Sequence, residues 1–275
     1  MRTTDAAQKR SDINDAAALA SFEGRYRDVV LGPVVVVIPA YREAGSIAGV
    51  LAEVPTVGAG LLIVTLVVDD GSNDGTADLA EGAGAFVCRL PENRGQGAAL
   101  RIGYRLAINH GARYVVSLDA DGQYDPAEIP ALLVPLVDGQ ADFVSGSRRL
   151  GASYGGDLFR QAGVVFFAAV IRALTGRRVT DPSFGLRAMT AEVAAMVPLH
   201  QPQFQAAELL IGAAMRGYRT TERPGSIRAR VAGRSRKGPN IVYGFRFGLV
   251  VLSTWWRELT RQRRTRAILS TRRVR

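Results

Sequence analysis

Cysteine and histidine are scarce in this sequence, which holds one cysteine and two histidines in 275 residues. The single cysteine, Cys88, excludes a disulfide framework and a zinc site built from several cysteines. His110 and His200 are too few for a histidine-rich metal centre. Because 47% of the residues are hydrophobic and 22% are charged, we expect one compact globular domain with appendages, and neither a disordered chain nor a repeat protein.

Long hydrophobic runs are also missing. The longest apolar stretches, Ala162–Ile171 and Phe247–Trp256, fall well short of the ~20 residues that a bilayer-spanning helix needs. Their length suits a buried helix or a helix that lies in a membrane interface. Residues 1–27 contain no apolar core of signal-peptide length, so we expect no export signal and a cytoplasmic location.

Acidic residues are nearly absent from the C-terminal part of the chain. Residues 216–275 carry 17 basic and two acidic residues, whereas the rest of the chain carries 18 basic and 23 acidic ones. A mildly acidic body therefore bears a strongly basic segment, which favours polyanions such as nucleic acid, anionic lipid headgroups or phosphorylated substrates. For the last fifteen residues, a solvated tail that aids solubility is the alternative.

Short apolar runs alternate with amphipathic segments from Val34 onwards, which predicts an α/β fold whose mostly parallel sheet has helices on both faces. The predicted strands are Val34–Ile38, Leu62–Val68, Ala85–Arg89, Tyr114–Leu118 and Asp142–Ser145. The predicted helices between them are Gly45–Glu53, Thr76–Ala83, Gly97–His110 and Pro126–Val137. Later we expect helices at 157–175, 204–216 and about 241–257, and a strand near 218–222.

These patterns divide the chain into three parts. Residues 1–32 show no clear period, and we expect a mobile N-terminal arm with about one helical turn. Residues 33–238 form the main domain. Residues 239–275 form an apolar and basic C-terminal helix and tail.

Carboxylates follow the predicted strands, and parallel sheets bind their ligands at the carboxyl ends of the strands. Asp69 and Asp70 end the second strand. A capped turn explains Ser72–Asp74 but not two adjacent carboxylates after a buried strand, so we expect at least one of them to meet a donor such as a base or ribose edge. Pro39–Gly45, after the first strand, lacks the glycine-rich turn of a dinucleotide-binding fold.

The sharpest signal follows the strand Tyr114–Leu118. Alternate residues of an extended chain point the same way, so Asp119, Asp121 and Gln123 can face one point. Two carboxylates and an amide oxygen suit Mg²⁺ or Mn²⁺, and like charges so close repel unless a cation lies between them. We predict a divalent metal site here, with a surface turn as the alternative. Beyond the next strand, Arg148 stands among small residues and predicts a phosphate seat, with a solvated loop arginine as the alternative.

Several motifs occur in series and at fitting spacing. They are Ile38-Pro-Ala-Tyr-Arg-Glu43, Val68-Asp-Asp-Gly-Ser-Asn-Asp-Gly-Thr76, Asn93-Arg-Gly-Gln-Gly-Ala-Ala-Leu-Arg101, Leu118-Asp-Ala-Asp-Gly-Gln123, Gly146-Ser-Arg148 and Asp181-Pro-Ser-Phe-Gly-Leu-Arg187. Together they resemble family-2 glycosyltransferases of the GT-A fold, in the branch that transfers sugars to dolichyl or polyprenyl phosphate. The resemblance covers roughly Val34 to Lys237.

The resemblance implies roles for individual residues. It implies a nucleotide and donor set of Pro39, Ala40, Tyr41, Glu43, Asp70, Gln96, Asp119 and Ala120. It implies a catalytic set of Asp121, Asp181, Arg148 and Glu208, with the metal on Asp119, Asp121 and Gln123. It implies an acceptor and phosphate set of Arg148, Arg187, Arg230, Ser235 and Arg236. The motifs depart from the family where Arg42 replaces Asn, Gln96 replaces Lys, Arg236 replaces Lys, and Phe184-Gly-Leu-Arg187 replaces Ser-Gly-Phe-Arg.

The acceptor remains open between two classes. A hydroxyl acceptor needs a general base, for which Asp181 and Glu208 are the candidates, since neither histidine is well placed. A phosphate monoester is largely dianionic at pH 7 and needs none. We therefore expect an inverting enzyme that uses GDP-mannose or a UDP-sugar and a polyprenyl or dolichyl phosphate, with a soluble hydroxyl acceptor, a metabolite or glycan, as the alternative.

Other functions fit the sequence less well. A nucleotidyltransferase would need a glycine- and arginine-rich loop where Pro39–Glu43 stands. A non-enzymatic polyanion binder is permitted by the basic segment, but no aromatic and basic stacking motif predicts a specific nucleic acid partner. Phe245–Trp256 and Arg160–Arg172, with Phe166 and Phe167, instead suggest peripheral contact with an anionic membrane surface at the cytoplasmic face, although both could be core helices.

Overall fold

A mixed β-sheet forms the centre of the computed structural model, which describes residues 2–151, 158–230 and 240–272. The strands run in the order β2-β3-β1-β5-β7-β6-β8, and β4 pairs with β3 beside this path. Their bounds are β1 Val34–Ala40, β2 Val57–Gly58, β3 Leu61–Asp69, β4 Phe86–Arg89, β5 Tyr114–Ser117, β6 Phe143–Ser147, β7 Arg187–Thr190 and β8 Thr220–Pro224.

The parallel half of the sheet brings three strand ends together. Strand β1 pairs in parallel with β3 on one side and with β5 on the other. Ala40 lies opposite Asp69, and Val37 lies opposite Ser117, so the carboxyl ends of β1, β3 and β5 meet at one edge. The loops that follow these strands therefore converge there, as the alternation of strands and helices predicted.

Helices cover both faces of the sheet. Their bounds are α1 Arg2–Arg25, α2 Ile47–Glu53, α3 Thr76–Gly82, α4 Gln96–Asn109, α5 Ile129–Val137, α6 Leu158–Thr175, α7 Ala191–Met196, α8 Gln205–Met215 and α9 Asn240–Arg272, with a short 3₁₀ helix at Pro126–Glu128. Along β1 the buried side chains alternate between two cores: Val35 and Val37 join one, and Val34, Val36 and Ile38 join the other. This alternation is the period of two that a strand buried on both faces must show.

The N-terminal segment differs from the sequence-based expectation. Instead of a mobile arm with about one helical turn, residues 2–25 form helix α1. Ala18 and Phe22 of α1 are buried in the core that also contains Val35 and Val37. Among residues 14–25, whose side chains the structure describes, Ala18 and Phe22 are the buried pair, and one pair four residues apart is too short a pattern to predict a helix from the sequence.

Strands β2 and β7 and helix α7 were not predicted either, and α9 is longer than predicted. Strand β7 runs antiparallel between β5 and β6, and its four residues are too few to give a periodic signal. Helix α9 continues to Arg272 instead of ending near Arg257. The residues after Arg257 include arginine, leucine, glutamine and alanine, which favour helix, and they include no proline or glycine. Among the described helices, none is long and apolar enough to cross a bilayer.

Helix α9 packs against the body through its buried face. Phe247, Val250 and Val251 are buried, and the rings of Phe247 and Phe167 in α6 lie 4.8 Å apart. Glu258 accepts two hydrogen bonds of 2.9 Å from Arg216, at the end of α8. The start of α9 is thereby held beside the edge where β1, β3 and β5 end.

We predict that Gly103→Ala destabilises the protein. A Cβ at Gly103, in α4, would lie 2.3 Å from Val37 Cγ1 and 3.1 Å from Val68 Cγ2, so the sheet or the helix must shift. Such overpacking costs about 1 to 3 kcal/mol in free energy of unfolding, measured by urea denaturation. Gly49→Ala in α2 is the matched control, because a Cβ there meets nothing within 4 Å. An equal effect of the two substitutions would contradict the packing described here.

Candidate active site

A cavity of about 410 Å³ opens where β1, β3 and β5 end. The whole donor set expected from the sequence lines it: Pro39, Ala40, Tyr41, Glu43, Asp70, Gln96, Asp119 and Ala120. Asp121, Gln123 and Arg230 line it as well. The strand-end rule thus brings these residues to one place, although their roles stay predictions.

The two loops after β1 and β3 hold each other by hydrogen bonds. The backbone N–H of Arg42 donates to Ser72 Oγ, and that of Glu43 donates to Thr76 Oγ1, each at 2.9 Å. Ser46 Oγ donates to Glu43 Oε2 at 2.9 Å. Ser72 and Thr76 therefore hold the loop after β1, which forms one wall of the cavity.

Asp70 holds a second wall. It is almost completely buried and accepts hydrogen bonds from the backbone N–H groups of Arg94, at 2.9 Å, and Gly95, at 2.7 Å. Burial nevertheless raises the pKa of the Asp70 carboxyl above its ordinary value. The donors that Asp70 meets in this structure belong to the loop before α4, whereas the sequence analysis named a base or ribose edge as an example of such a donor.

The expected metal ligands lie side by side in the cavity. Gln96 Nε2 donates to Asp119 Oδ1 at 2.7 Å, and the backbone N–H of Gln123 donates to Asp121 Oδ1 at 3.0 Å. The guanidinium of Arg230 lies 2.7 Å from Asp121 Oδ2 and 3.8 Å from Glu43 Oε1. A cationic group therefore already stands on Asp121, which is the position that a divalent cation would share.

This donor set fits a divalent cation. Two carboxylates and an amide oxygen are hard ligands, which Mg²⁺ and Mn²⁺ prefer. In the part of the chain that the structure describes, no cluster of three or more His, Cys, Asp or Glu side chains is arranged for a metal, so such a site would depend on Gln123, water or a ligand's own oxygens for its remaining positions. The amide of Gln96, at one of the positions where the motifs depart from the expected family pattern, contacts Asp119.

Asp181 and Arg148 neutralise each other outside the cavity. Arg148 Nε donates to Asp181 Oδ2 at 2.5 Å, and Nη2 donates to Oδ1 at 3.2 Å and to Ser183 Oγ at 2.8 Å. Asp181 is only 1% exposed, and neither residue lines a cavity described here. In this structure Asp181 therefore occupies the guanidinium of Arg148, and the expected contacts of both residues with substrate stay predictions.

Arg187 lies beside a smaller cavity of about 110 Å³, which shares Gln96, Asp119, Phe204 and Tyr243 with the larger one. Arg187 is buried and donates through Nε to the carbonyl of Phe184 at 2.7 Å. Burial lowers its pKa from the ordinary arginine value. Among the residues of the expected acceptor set, Arg187 and Arg230 reach a cavity, while Ser235 and Arg236 lie outside the described residues.

Phe184, which departs from the expected family motif, is a packing residue in the core. Phe184 is fully buried, and its ring lies 4.8 Å from that of Tyr124. A Cβ at Gly146 would come within 2.3 Å of the Phe184 ring, so the two residues fill one space. Phe184 lines neither cavity, and its influence on an acceptor would pass through Tyr124 or Arg187.

Glu208 lies in the core and lines neither cavity, so the structure gives its predicted catalytic role no support. It is fully buried and accepts hydrogen bonds of 3.0 Å from the backbone N–H groups of His200 and Gln201. Its Oε1 also contacts Arg257 Nη2 of α9 at 2.7 Å. Glu208 thus ties the loop before α8 to α9, which is a positioning role.

Sequence reasoning missed a group of residues that line the larger cavity. These are Asn93, Gly95, Ala99, Pro202, Gln203, Phe204, Val242, Tyr243 and Arg246. Phe204, at φ +66°, precedes α8, and its ring lies 4.8 Å from that of Tyr243. Tyr243 and Arg246 lie one turn apart on α9. They meet the loops after β1 and β5 only in the folded chain, and no local sequence pattern predicts such a long-range contact.

Comparison with known proteins gives the family. Residues 35–193 match the family model described as glycosyl transferase family 2. The chain belongs to glycosyl transferase family 2. The family that the motifs predicted is thereby confirmed, and the chain is a glycosyltransferase.

Named relatives of this glycosyltransferase include two transferases to lipid phosphates. The chain is 33% identical to a dolichyl-phosphate hexose transferase of Haloferax volcanii, over 74% of this chain and 86% of that protein. It is 29% identical to an undecaprenyl-phosphate mannosyltransferase of Micrococcus luteus, over 76% and 89%.

The fold matches that of a solved structure. A glucosyl-3-phosphoglycerate synthase from Mycobacterium tuberculosis, solved with Mn²⁺, uridine diphosphate and glucosyl-3-phosphoglycerate, aligns with a TM-score of 0.63 at 24% identity. The alignment covers 86% of this chain and 82% of that one. The GT-A fold predicted for this glycosyltransferase is thus confirmed.

We predict that Glu208→Gln costs stability and leaves turnover intact. The substitution replaces one acceptor oxygen by an amide beside N–H donors and removes the partner charge of Arg257, which costs about 1 to 3 kcal/mol in free energy of unfolding. Turnover per folded molecule, measured below the melting transition, should stay within about twofold of the wild type. A loss of turnover of about 100-fold at unchanged stability would contradict the positioning role and restore a catalytic one.

Proposed function

We propose that this glycosyltransferase moves a sugar from a nucleotide sugar, GDP-mannose or a UDP-sugar, to a polyprenyl or dolichyl phosphate, with inversion and with Mg²⁺ or Mn²⁺ as cofactor. The observation that carries the proposal is one cavity whose wall combines the expected nucleotide residues with Asp119 and Asp121, and which opens beside an exposed apolar face. The names of two relatives point to the same acceptor class.

The donor half of the proposal rests on the larger cavity. Its volume of about 410 Å³ lies in the range of pockets for small ligands, which is roughly 300 to 1,000 Å³. Pro39, Tyr41, Glu43 and Asp70 would hold the base and ribose. A structural neighbour that shares the fold was solved with uridine diphosphate and Mn²⁺, which supports the donor class.

The metal half rests on the two carboxylates after β5. Asp119, Asp121 and Gln123 would hold the cation, which when bound would neutralise the charge of the departing diphosphate. Arg230, released from Asp121 by that cation, would gain the diphosphate as a new partner for its guanidinium. Gln96, in contact with Asp119, would keep that carboxylate in position.

The acceptor half rests on where the candidate bases lie. Asp181 is paired with Arg148, and Glu208 is paired with Arg257 and two backbone N–H groups. Both carboxylates are occupied by arginine and hydrogen-bond partners and line neither described cavity, which favours an acceptor that is already anionic at neutral pH and needs no base. Arg187, beside Asp119 in the smaller cavity, would then face the acceptor phosphate.

A membrane surface would supply such a lipid acceptor. Helices α6 and α9 expose large apolar side chains: Val165, Phe166, Val242, Phe245, Leu249, Leu252 and Trp256. We call these residues the α6–α9 face. Tyr243 and Arg246, on the same turns of α9, line the cavity. Contact of the α6–α9 face with the anionic cytoplasmic leaflet would therefore put the cavity mouth near the lipid headgroups, and the basic end of α9 favours that contact.

A soluble acceptor is the second candidate, because the structural neighbour carries a soluble glucosyl-3-phosphoglycerate. The two candidates separate when purified protein is incubated with each nucleotide sugar, Mn²⁺, and either a short-chain polyprenyl phosphate or soluble hydroxyl and phosphorylated acceptors. Transfer to the polyprenyl phosphate supports the proposal. Transfer to a soluble acceptor alone would overturn it.

We predict that Asp121→Ala keeps the fold and loses most of the metal-dependent activity. The substitution removes a metal-ligating carboxylate and the ion-pair partner of Arg230. Because Arg230 lines the open cavity, its guanidinium can turn towards water there, so the melting temperature should change little. Turnover should fall by a factor on the order of 100 or more. Asp125→Ala is the control, a nearby carboxylate that lines neither cavity. Unchanged turnover in Asp121→Ala would refute the metal assignment.

We predict that Phe166→Glu weakens binding to anionic vesicles of phosphatidylglycerol and phosphatidylcholine. Phe166 is 61% exposed on the α6–α9 face, and burying a side chain of this size is worth about 1.5 to 3 kcal/mol, or about tenfold or more in affinity. Leu62→Glu is the control, because Leu62 is 65% exposed and lies on β3, outside that face. Equal binding of both variants in vesicle sedimentation at low salt would contradict the docking surface.

A further inference from the structure

Helix α1 lies outside the residues that match the family model, yet it contacts the loop at the edge of the donor cavity. Asn14 Nδ2 donates to Glu92 Oε1 at 2.8 Å, and Asp15 forms an ion pair with Arg94. The side chains of Arg94 and Asp15 are only 11% and 24% exposed, so this pair is largely shielded from water. Ala18 and Phe22, one and two turns further along α1, anchor the helix in the core.

The loop that α1 contacts is held tightly on its other side. Asp70 accepts the backbone N–H groups of Arg94 and Gly95, as described above. A Cβ at Gly71 would come within 2.7 Å of the backbone of Glu92, so this loop and the loop after β3 touch without a side chain between them. Residues 92–95 therefore lie between α1 and the end of β3.

The same loop leads directly into the cavity. Asn93, Gly95 and Gln96 line it, and Gln96 donates to Asp119. A shift of the loop would move Gln96 and withdraw the N–H donors from Asp70 at the same time. The position of α1 is thus coupled to both carboxylates expected to contact the nucleotide and its metal.

We propose that α1 is a brace for the donor side of the cavity, and that Asp15 is its positioning residue. Asp15 holds the guanidinium of Arg94 away from the cavity, which Arg94 does not line, and so fixes the loop that carries two N–H donors to Asp70. This inference rests on the proposed nucleotide-sugar function for its effect on binding, but the effect on the loop itself does not depend on that function.

The electrostatics favour a strong effect for a single side chain. Loss of Asp15 removes a carboxylate partner of the Arg94 guanidinium in a place that is largely shielded from water, where weaker balancing of a charge is costly. The chain can lower this cost by turning Arg94, and with it residues 92–95, towards solvent or towards the carboxylates of the cavity. Either movement loosens the wall around Asp70.

The test compares Asp15→Ala with Arg25→Ala. Arg25 also ties α1 to the body, by two hydrogen bonds of 2.5 and 2.7 Å to Glu81 of α3, but it does not contact residues 92–95. Hydrogen exchange of the backbone N–H groups of residues 92–96 is measured in the free protein. The dissociation constants of UDP and GDP are measured by calorimetry with Mn²⁺, and donor KM and kcat are measured where turnover is found.

We expect faster exchange at residues 92–96 in Asp15→Ala and not in Arg25→Ala. The nucleotide that binds the wild type should bind Asp15→Ala about tenfold more weakly, with KM raised and kcat nearly kept. Asp15→Glu, which keeps the charge, should recover most of the affinity. Exchange and affinity that respond no more to Asp15→Ala than to Arg25→Ala would overturn the brace. Faster exchange without nucleotide binding by the wild type would instead count against the proposed function.

Discussion

Negative charge collects where β1, β3 and β5 end, and the rest of the site depends on how that charge is balanced. Parallel pairing places the three strand ends at one edge, so Asp70, Asp119 and Asp121, which follow these strands, lie at the same edge of the sheet. Each has a different partner: two backbone N–H groups on Asp70, the amide of Gln96 on Asp119, and the guanidinium of Arg230 on Asp121. Amides do not cancel a charge, which is why this edge suits a cation.

A second group of carboxylates is buried and paired with arginine side chains. Asp181 with Arg148, Glu208 with Arg257, and Glu258 with Arg216 form ion pairs whose carboxylates are at most 2% exposed in their side chains. The first pair joins the segment after β6 to the segment before β7, and the other two join α8 and its C-terminal end to the middle of α9; none of these six residues lines the larger cavity. The separation between permanently paired acids and cavity acids is what favours an acceptor that brings its own negative charge over one that needs a base.

Local patterns predicted much of this arrangement and failed at identifiable points. The strands β1, β3 and β5 and the carboxylates after them follow from apolar runs and strand-end positions. The residues of the expected donor set do line one cavity, and their roles stay predictions. Pairing between side chains far apart in sequence was not predictable. The sequence named Asp181 and Glu208 as candidate general bases, whereas the structure pairs them with Arg148 and Arg257. Strand β7 was missed because its four residues are too few to make a period, and α1 was missed because the described half of the helix, residues 14–25, buries only Ala18 and Phe22.

Anomalous diffraction from a crystal soaked with Mn²⁺ and a nucleoside diphosphate tests the central claim most directly. The account predicts a manganese peak in contact with Asp119 or Asp121, with the guanidinium of Arg230 moved from Asp121 to the diphosphate. A nucleotide bound without manganese at these carboxylates, or no peak at this edge while Arg230 stays on Asp121, would contradict it.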